Sequence, residues 1–131
     1  MEIKIRKSPL LAEEGIYSVA TRKGVLIENC LYRRSFAFRL RGLMGKKRLP
    51  SGSGILLDPC KGIHTFFMRF PITAIFIDDS SNVIAVFHNI KPYRATPFIK
   101  GAAAVLEINS TQELDYTVEK GERLIFKNKK A

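Results

Sequence analysis

The segment ITAIFIDDSSNVIAVFHNI, residues 72–90, constrains the fold more than any other part of the chain. Residues 72–77 are apolar on both alternating faces, which marks a strand covered on both sides rather than one at a solvent edge. The turn-forming residues of DDSSN then reverse the chain. VIAVFHNI, residues 83–90, is again apolar on both faces and returns as the partner strand. A central antiparallel hairpin is therefore expected.

Other short apolar runs extend the pattern. GVLIENCLY (24–32), ILLDP (55–59), AVLEI (104–108) and the end of EKGERLIF (119–126) read as strands, bounded by Gly, Pro or polar turns. KPYRATPFIKGA (91–102) reads as a loop with two prolines, and STQEL as a helical turn with Ser110 and Glu113 in capping-box spacing. Residues 1–23 form a short N-terminal segment in which MEIKI alternates like a strand and RKSPLLAEEG is loop-like. One stretch has a helical period. Phe36, Leu40, Leu43 and Met44 make a single stripe, with Ser35 placed as N-cap and Gly45 as C-cap, so a helix near 35–44 is expected. Together these elements imply a mainly β (α+β) fold. Residues 24–131 would form one barrel-like domain or rolled mixed sheet with that one main helix.

At 131 residues, with 46% hydrophobic and 26% charged side chains, the chain can build a core without a metal or disulfide. Cys30 and Cys60 lie far apart without framework spacing, which suits a reducing compartment. The charged N-terminus lacks a signal-peptide pattern, and no apolar run approaches the roughly 20 residues of a membrane span. The expectation is a cytoplasmic monomer without cofactor. A net charge of +10 favours an anionic partner, although a basic surface also serves solubility.

Two elements of the segment PCKGIHTFFMRFP (59–71) carry chemistry. Cys60 and His64 are four apart, about 13 Å along a strand, so only a turn at Gly62 would let the imidazole activate the thiol. Cys30, Cys60, His64 and His88 would supply four zinc ligands but lack the close local pairs of zinc sites, so no metal is expected. FFMRF resembles the wall of a pocket, and Arg69 within it needs solvent or a carboxylate such as Asp78 or Glu107. His64, Phe67, Met68, Arg69, Asp78 and Tyr93 are accordingly the candidate ligand-binding residues. A separate basic cluster, Arg33, Arg34, Arg39, Arg41, Lys46, Lys47 and Arg48 with Phe38 among them, is a candidate nucleic-acid surface without a known nucleic-acid motif.

The run RGLMGKKRLPSGSGILLDPCKGIHTFFMRFPI…FID followed by AAVLEI resembles the prokaryotic family named domain of unknown function 192, over about residues 24–127. Gly42, Leu43 and Met44 match its Gly-Leu-Met element. Phe67, Met68 and Pro71 match its aromatic-Met and proline positions, Phe76 and Asp78 its central strand, and Val105, Leu106 and Glu107 its Val-Leu-Glu. Pro59, Cys60 and the run from His64 to Pro71 place the chain with the His-Thr-Phe-Phe-Met-Arg-Phe-Pro subset. Thr73 stands where the family usually has Asp, and DSSN where the hairpin usually holds Asp-Gly. The resemblance implies a compact, mostly β, barrel-like fold and no established reaction. The functional expectation is a non-enzymatic binding or accessory module for a protein or small anionic ligand. Thiol chemistry at Cys60/His64 and electrostatic nucleic-acid binding are the rivals.

Overall fold

The computed structural model describes residues 9–35 and 42–130. Seven strands run in chain order: β1 (Gly15–Thr21), β2 (Gly24–Arg33), β3 (Ser53–Leu57), β4 (Ile72–Ile77), β5 (Val83–Ile90), β6 (Ala104–Asn109) and β7 (Ile125–Asn128). They form one sheet of order β5-β4-β6-β3-β2-β1-β7, antiparallel except for the parallel β2–β3 pair. The central hairpin is present. β4 is buried at all six positions between β5 and β6, and the Asp78 carboxylate accepts hydrogen bonds from the Ser80 and Asn82 amides to shape its turn.

The sheet separates two apolar cores. One face packs Val19, Ile27, Cys30, Tyr32, Leu56, Ile75, Ile77, Leu106 and Ile108 together with Val118 and Leu124. Strands from both ends of the order contribute to it, so the sheet curls around this core. The curl brings Gly121–Leu124 beside the start of β5, where Val83 N–H donates to Glu122 O and Leu124 N–H to Ser81 O. Among the described residues the two edges meet at an isolated bridge, Asn82 to Arg123, and at the Gly121 N–H, which donates to Val83 O. The sheet is open, and the expected barrel is not closed: no ladder joins β5 to β7.

The other face packs Ile55, Leu57, Ile72, Ala74, Phe76 and Val105 beneath Leu43, Met68, Phe70 and Ala102. Its cover follows from topology. β3 and β4 are both antiparallel to β6, hence parallel to each other, and β5 and β6 are likewise parallel. Parallel strands require crossovers of a dozen or so residues, usually helical. Here the crossovers, residues 58–71 and 91–103, contain no helix. They satisfy their backbone polar groups against each other instead: Ile99 N–H donates to Lys61 O, Thr96 N–H to Ile63 O and Thr65 N–H to Arg94 O. This irregular antiparallel pairing, with the His64–Ala95 bridge at its middle, makes a crossover layer over the second core.

Two expectations need correction. No helix occurs among the described residues. Of the 35–44 helix, residues 36–41 lie outside the described residues. Gly42–Gly45 forms a turn in which Gly42, inside the expected helix, has a positive φ (49°) that a right-handed helix excludes, while the positive φ of Gly45 (74°) is what its expected cap position allows. At 110–113 a side-chain turn replaces the capping box. Asn109 Oδ1 accepts the Thr111 N–H and Oγ–H, while Ser110 Oγ accepts the Asn89 amide.

Gly54 in β3 is a point of close approach. A Cβ there would lie 2.9 Å from Glu107 O, Ile108 Cγ2 and Ile27 Cδ1. Gly54→Ala is therefore expected to cost about 2–3 kcal/mol by overpacking, read as a lower urea midpoint.

Candidate binding surface on the crossover layer

The outer side of the crossover layer presents two turns whose corner residues are unusual. Met68 N–H donates to Thr65 O, closing a turn with Phe66 and Phe67 at its corners, and Phe67 has φ 65°. In the facing crossover Pro92 and Tyr93 are the corners between Lys91 and Arg94, and Tyr93 has φ 63°. A positive φ at the second corner is the position that type II turns give to Gly or Asn, and for a bulky side chain it is a strained conformation. Burial does not compensate. Phe67 is 62% and Tyr93 60% exposed, with Phe66 at 43% and Phe98, further along, at 74%.

Thr65 holds the two turns together. It is fully buried, and its Oγ accepts the Arg94 amide at 2.8 Å while lying 2.6 Å from the Lys91 carbonyl, to which its proton is donated. The hydroxyl is thereby inserted where an ordinary turn would join that amide and carbonyl directly. The Thr65 carbonyl also accepts the Tyr93 amide. The result is an aromatic cluster. His64 stacks on Phe66 at 5.2 Å between centroids, and Tyr93 lies 6.1 Å from Phe66 and 6.3 Å from Phe67.

The surroundings are cationic. Lys61, Arg69, Lys91, Arg94 and Lys100 are exposed, and residues 59–71 and 91–103 contain no Asp or Glu. Lys61 places Nζ 5.7 Å from the centre of the Phe98 ring while donating to Ala102 O.

The structure thus brings His64, Phe67 and Tyr93 into one aromatic cluster, and Arg69, two residues after Phe67, is exposed. Met68 is buried beneath it in the core, and the Asp78 carboxylate is taken up by the β4–β5 turn. Arg69 forms no ion pair with either expected carboxylate. Glu107 sits in the middle of β6, opposite Ile55 and Ala74, and burial pushes its carboxyl up to about 8. Its Oε1 has no hydrogen-bond partner among the described residues, and a Cβ on Gly42 would stand 3.5 Å from that oxygen.

Cys60 and His64 are tied to their own turns. Cys60 Sγ donates to Gly62 O at 3.2 Å, and His64 Nδ1 accepts the Phe66 amide at 3.2 Å. Cys30 is buried in the opposite core, where desolvation pushes its thiol up to about 12, and His88 is exposed. The sheet stands between the two cysteines. Of the basic cluster, Arg33, Arg34, Lys46, Lys47 and Arg48 are exposed, whereas Arg39 and Arg41, with Phe38, lie outside the described residues.

Thr73 reaches the face opposite the crossover layer. There it donates to Ser110 Oγ at the wall of a cavity of about 300 Å³ that His88, Gln112 and Tyr116 also line. The site usually occupied by the family's Asp is therefore on the other side of the sheet from the aromatic cluster. Sequence reasoning missed three things: β1, the Thr65 bridge and this cavity. The buried alternation of Tyr17, Val19 and Thr21 was the available signal for β1.

The family model for DUF192, described as "Uncharacterized ACR", matches residues 20–126, so the chain belongs to this family. No curated protein matches. Among solved structures, a protein of unknown function from Novosphingobium aromaticivorans DSM 12444 superposes with a TM-score of 0.69 at 20% identity, over 84% of this chain and 83% of that one. A candidate transcription regulator from Sinorhizobium meliloti 1021 gives 0.68 at 19% identity, over 88% and 97%. At these identities the likeness concerns the fold.

Proposed function

We propose that this chain is a non-enzymatic binding module whose recognition surface is the outer side of the crossover layer, and whose partner is anionic. One observation carries the reading: Phe67 and Tyr93 keep positive φ at exposed corners where glycine would fit without strain. Each costs about 1–2 kcal/mol, and neither ring recovers it by burial. Strain and exposed aromatic surface retained together at one place suit recognition rather than stability. The five exposed cations of residues 59–71 and 91–103, ranges without Asp or Glu, set the sign of the partner, since the one crossover carboxylate, Asp58, is buried and bonded to Leu10 N–H and Tyr32 O–H. The residues that meet it are His64, Phe66, Phe67, Arg69, Tyr93 and Arg94.

Thiol catalysis is less well supported, because the Sγ of Cys60 and the Nδ1 of His64 are each engaged within their own turns. Phe67→Gly separates binding from stability. Relief of the left-handed strain is expected to leave the urea midpoint unchanged or to raise stability by about 1 kcal/mol. The affinity for anilinonaphthalene sulfonate, an aromatic anion used as probe on the native chain, is expected to fall at least about fivefold by loss of ring contact. A destabilised variant with undiminished probe binding would reverse the reading.

A further inference from the structure

We propose that the anionic partner of the crossover layer is a phospholipid surface, on which the chain docks peripherally through Phe66, Phe67, Tyr93 and Phe98. This rests on the reading of that layer as the recognition surface. Its observations separate a lipid from other polyanions. The exposed rings project from turn corners and a loop, with Phe98 the most exposed large apolar side chain among the described residues. Apolar rings carried at turn tips and surrounded by Lys and Arg are what an interface of headgroups and acyl chains accepts: the rings enter the boundary and the cations meet the phosphates.

A single-stranded nucleic acid asks for something else. It needs open ring faces on which bases stack. Here the faces are partly used within the protein. His64 covers Phe66 at an interplanar angle of 29°, Tyr93 packs against both Phe66 and Phe67, and the Lys61 ammonium stands over Phe98. What remains outward is apolar bulk rather than a row of platforms. The Lys61 ammonium is held 5.7 Å from the Phe98 ring centre by its bond to Ala102 O, which keeps a cation beside the most exposed ring, where a headgroup phosphate would meet it. Docking of this kind needs no spanning segment, and no helix among the described residues is long and apolar enough to cross a membrane.

The chain contains no Trp, so a single introduced indole reports its own surroundings. Phe98→Trp in the full chain is mixed with vesicles of phosphatidylcholine containing about one-third phosphatidylglycerol, and with vesicles of phosphatidylcholine alone. Ile125→Trp, at an exposed position on edge strand β7, is the control. The expected result is a blue-shifted emission for Phe98→Trp on the anionic vesicles, with a partition coefficient roughly tenfold above that for neutral ones and falling steeply with added salt. Ile125→Trp should not shift. Adding Phe67→Gly, or Arg69→Gln with Arg94→Gln, should weaken partition about fivefold or more; both sets lie on exposed side chains, so the fold is retained.

No shift on anionic vesicles, or an equal shift from Ile125→Trp, overturns the lipid assignment. If oligothymidylate or polyglutamate instead perturbs Phe98→Trp and the same substitutions weaken that binding, the partner is a nucleic acid or an acidic protein. The lipid proposal then falls while the binding surface stands. Loss of both vesicle and anilinonaphthalene sulfonate binding removes the surface as well.

Discussion

Thr65→Val is expected to lower the stability of the folded chain by about 2–3 kcal/mol, read as a reduced urea midpoint at constant slope. The substitution keeps volume and branching and removes one hydroxyl. That hydroxyl, fully buried, is the link between the Arg94 amide and the Lys91 carbonyl. Without it a backbone donor and an acceptor lose their partner in a place sealed from water, and each such group costs about 1–3 kcal/mol. Thr65→Ser retains the bridge and loses one methyl, a loss of about 1 kcal/mol. The ordering Val below Ser distinguishes the bridge from simple packing. Val should also weaken binding of the aromatic anion, because the turns that carry Phe66, Phe67 and Tyr93 are no longer locked to each other. Equal stability of the Val variant and the native chain would mean that the crossover layer is held by its apolar underside alone.

Glu107→Gln is expected to flatten the dependence of stability on pH. The folded carboxyl titrates near 8, raised by burial from its ordinary value of 4.5. Below about pH 4.5 the group is protonated in both folded and unfolded chains and its contribution to stability is fully present. Between 4.5 and 8 the unfolded chain releases the proton and the folded chain keeps it, so stability falls by about 1.4 kcal/mol per pH unit. Above 8 both forms are ionised and the fall stops. The loss over the whole window is on the order of 5 kcal/mol. Gln cannot ionise, so the difference between native and variant stability should widen in favour of Gln from pH 5 to pH 8. Parallel curves would show that Glu107 is ionised in the folded chain throughout.

The central hairpin and most strands were legible because burial on both faces leaves an unbroken apolar run, and β4 is such a run at every position. The cover of the second core was not. Its two crossovers have neither a 2-residue nor a 3.6-residue period, since pairs such as Ile63–Thr96 and Thr65–Arg94 join distant loops through backbone and a hydroxyl rather than through a repeating side-chain pattern. Gly42 shows a related limit. The apolar spacing up to Met44 suits a helix, but spacing carries no information about φ, and Gly42 within it is left-handed. His64, Phe67 and Tyr93 were named from residue type and lie in one aromatic cluster with Phe66. The strain at Phe67 and Tyr93, which makes that surface unusual, lies in the backbone and leaves no mark in composition.

If the outer side of the crossover layer is where this chain binds, a ligand must perturb that layer and leave the opposite face unchanged. Backbone amide shifts of the ¹⁵N-labelled native chain, followed during titration with anilinonaphthalene sulfonate, test it residue by residue. The shifts are expected to be confined to residues 59–71 and 91–103 and to be largest at Phe66, Phe67, Tyr93 and Arg94. Shifts gathered instead around Thr73, His88, Ser110 and Gln112 would place binding in the cavity on the opposite face and contradict it.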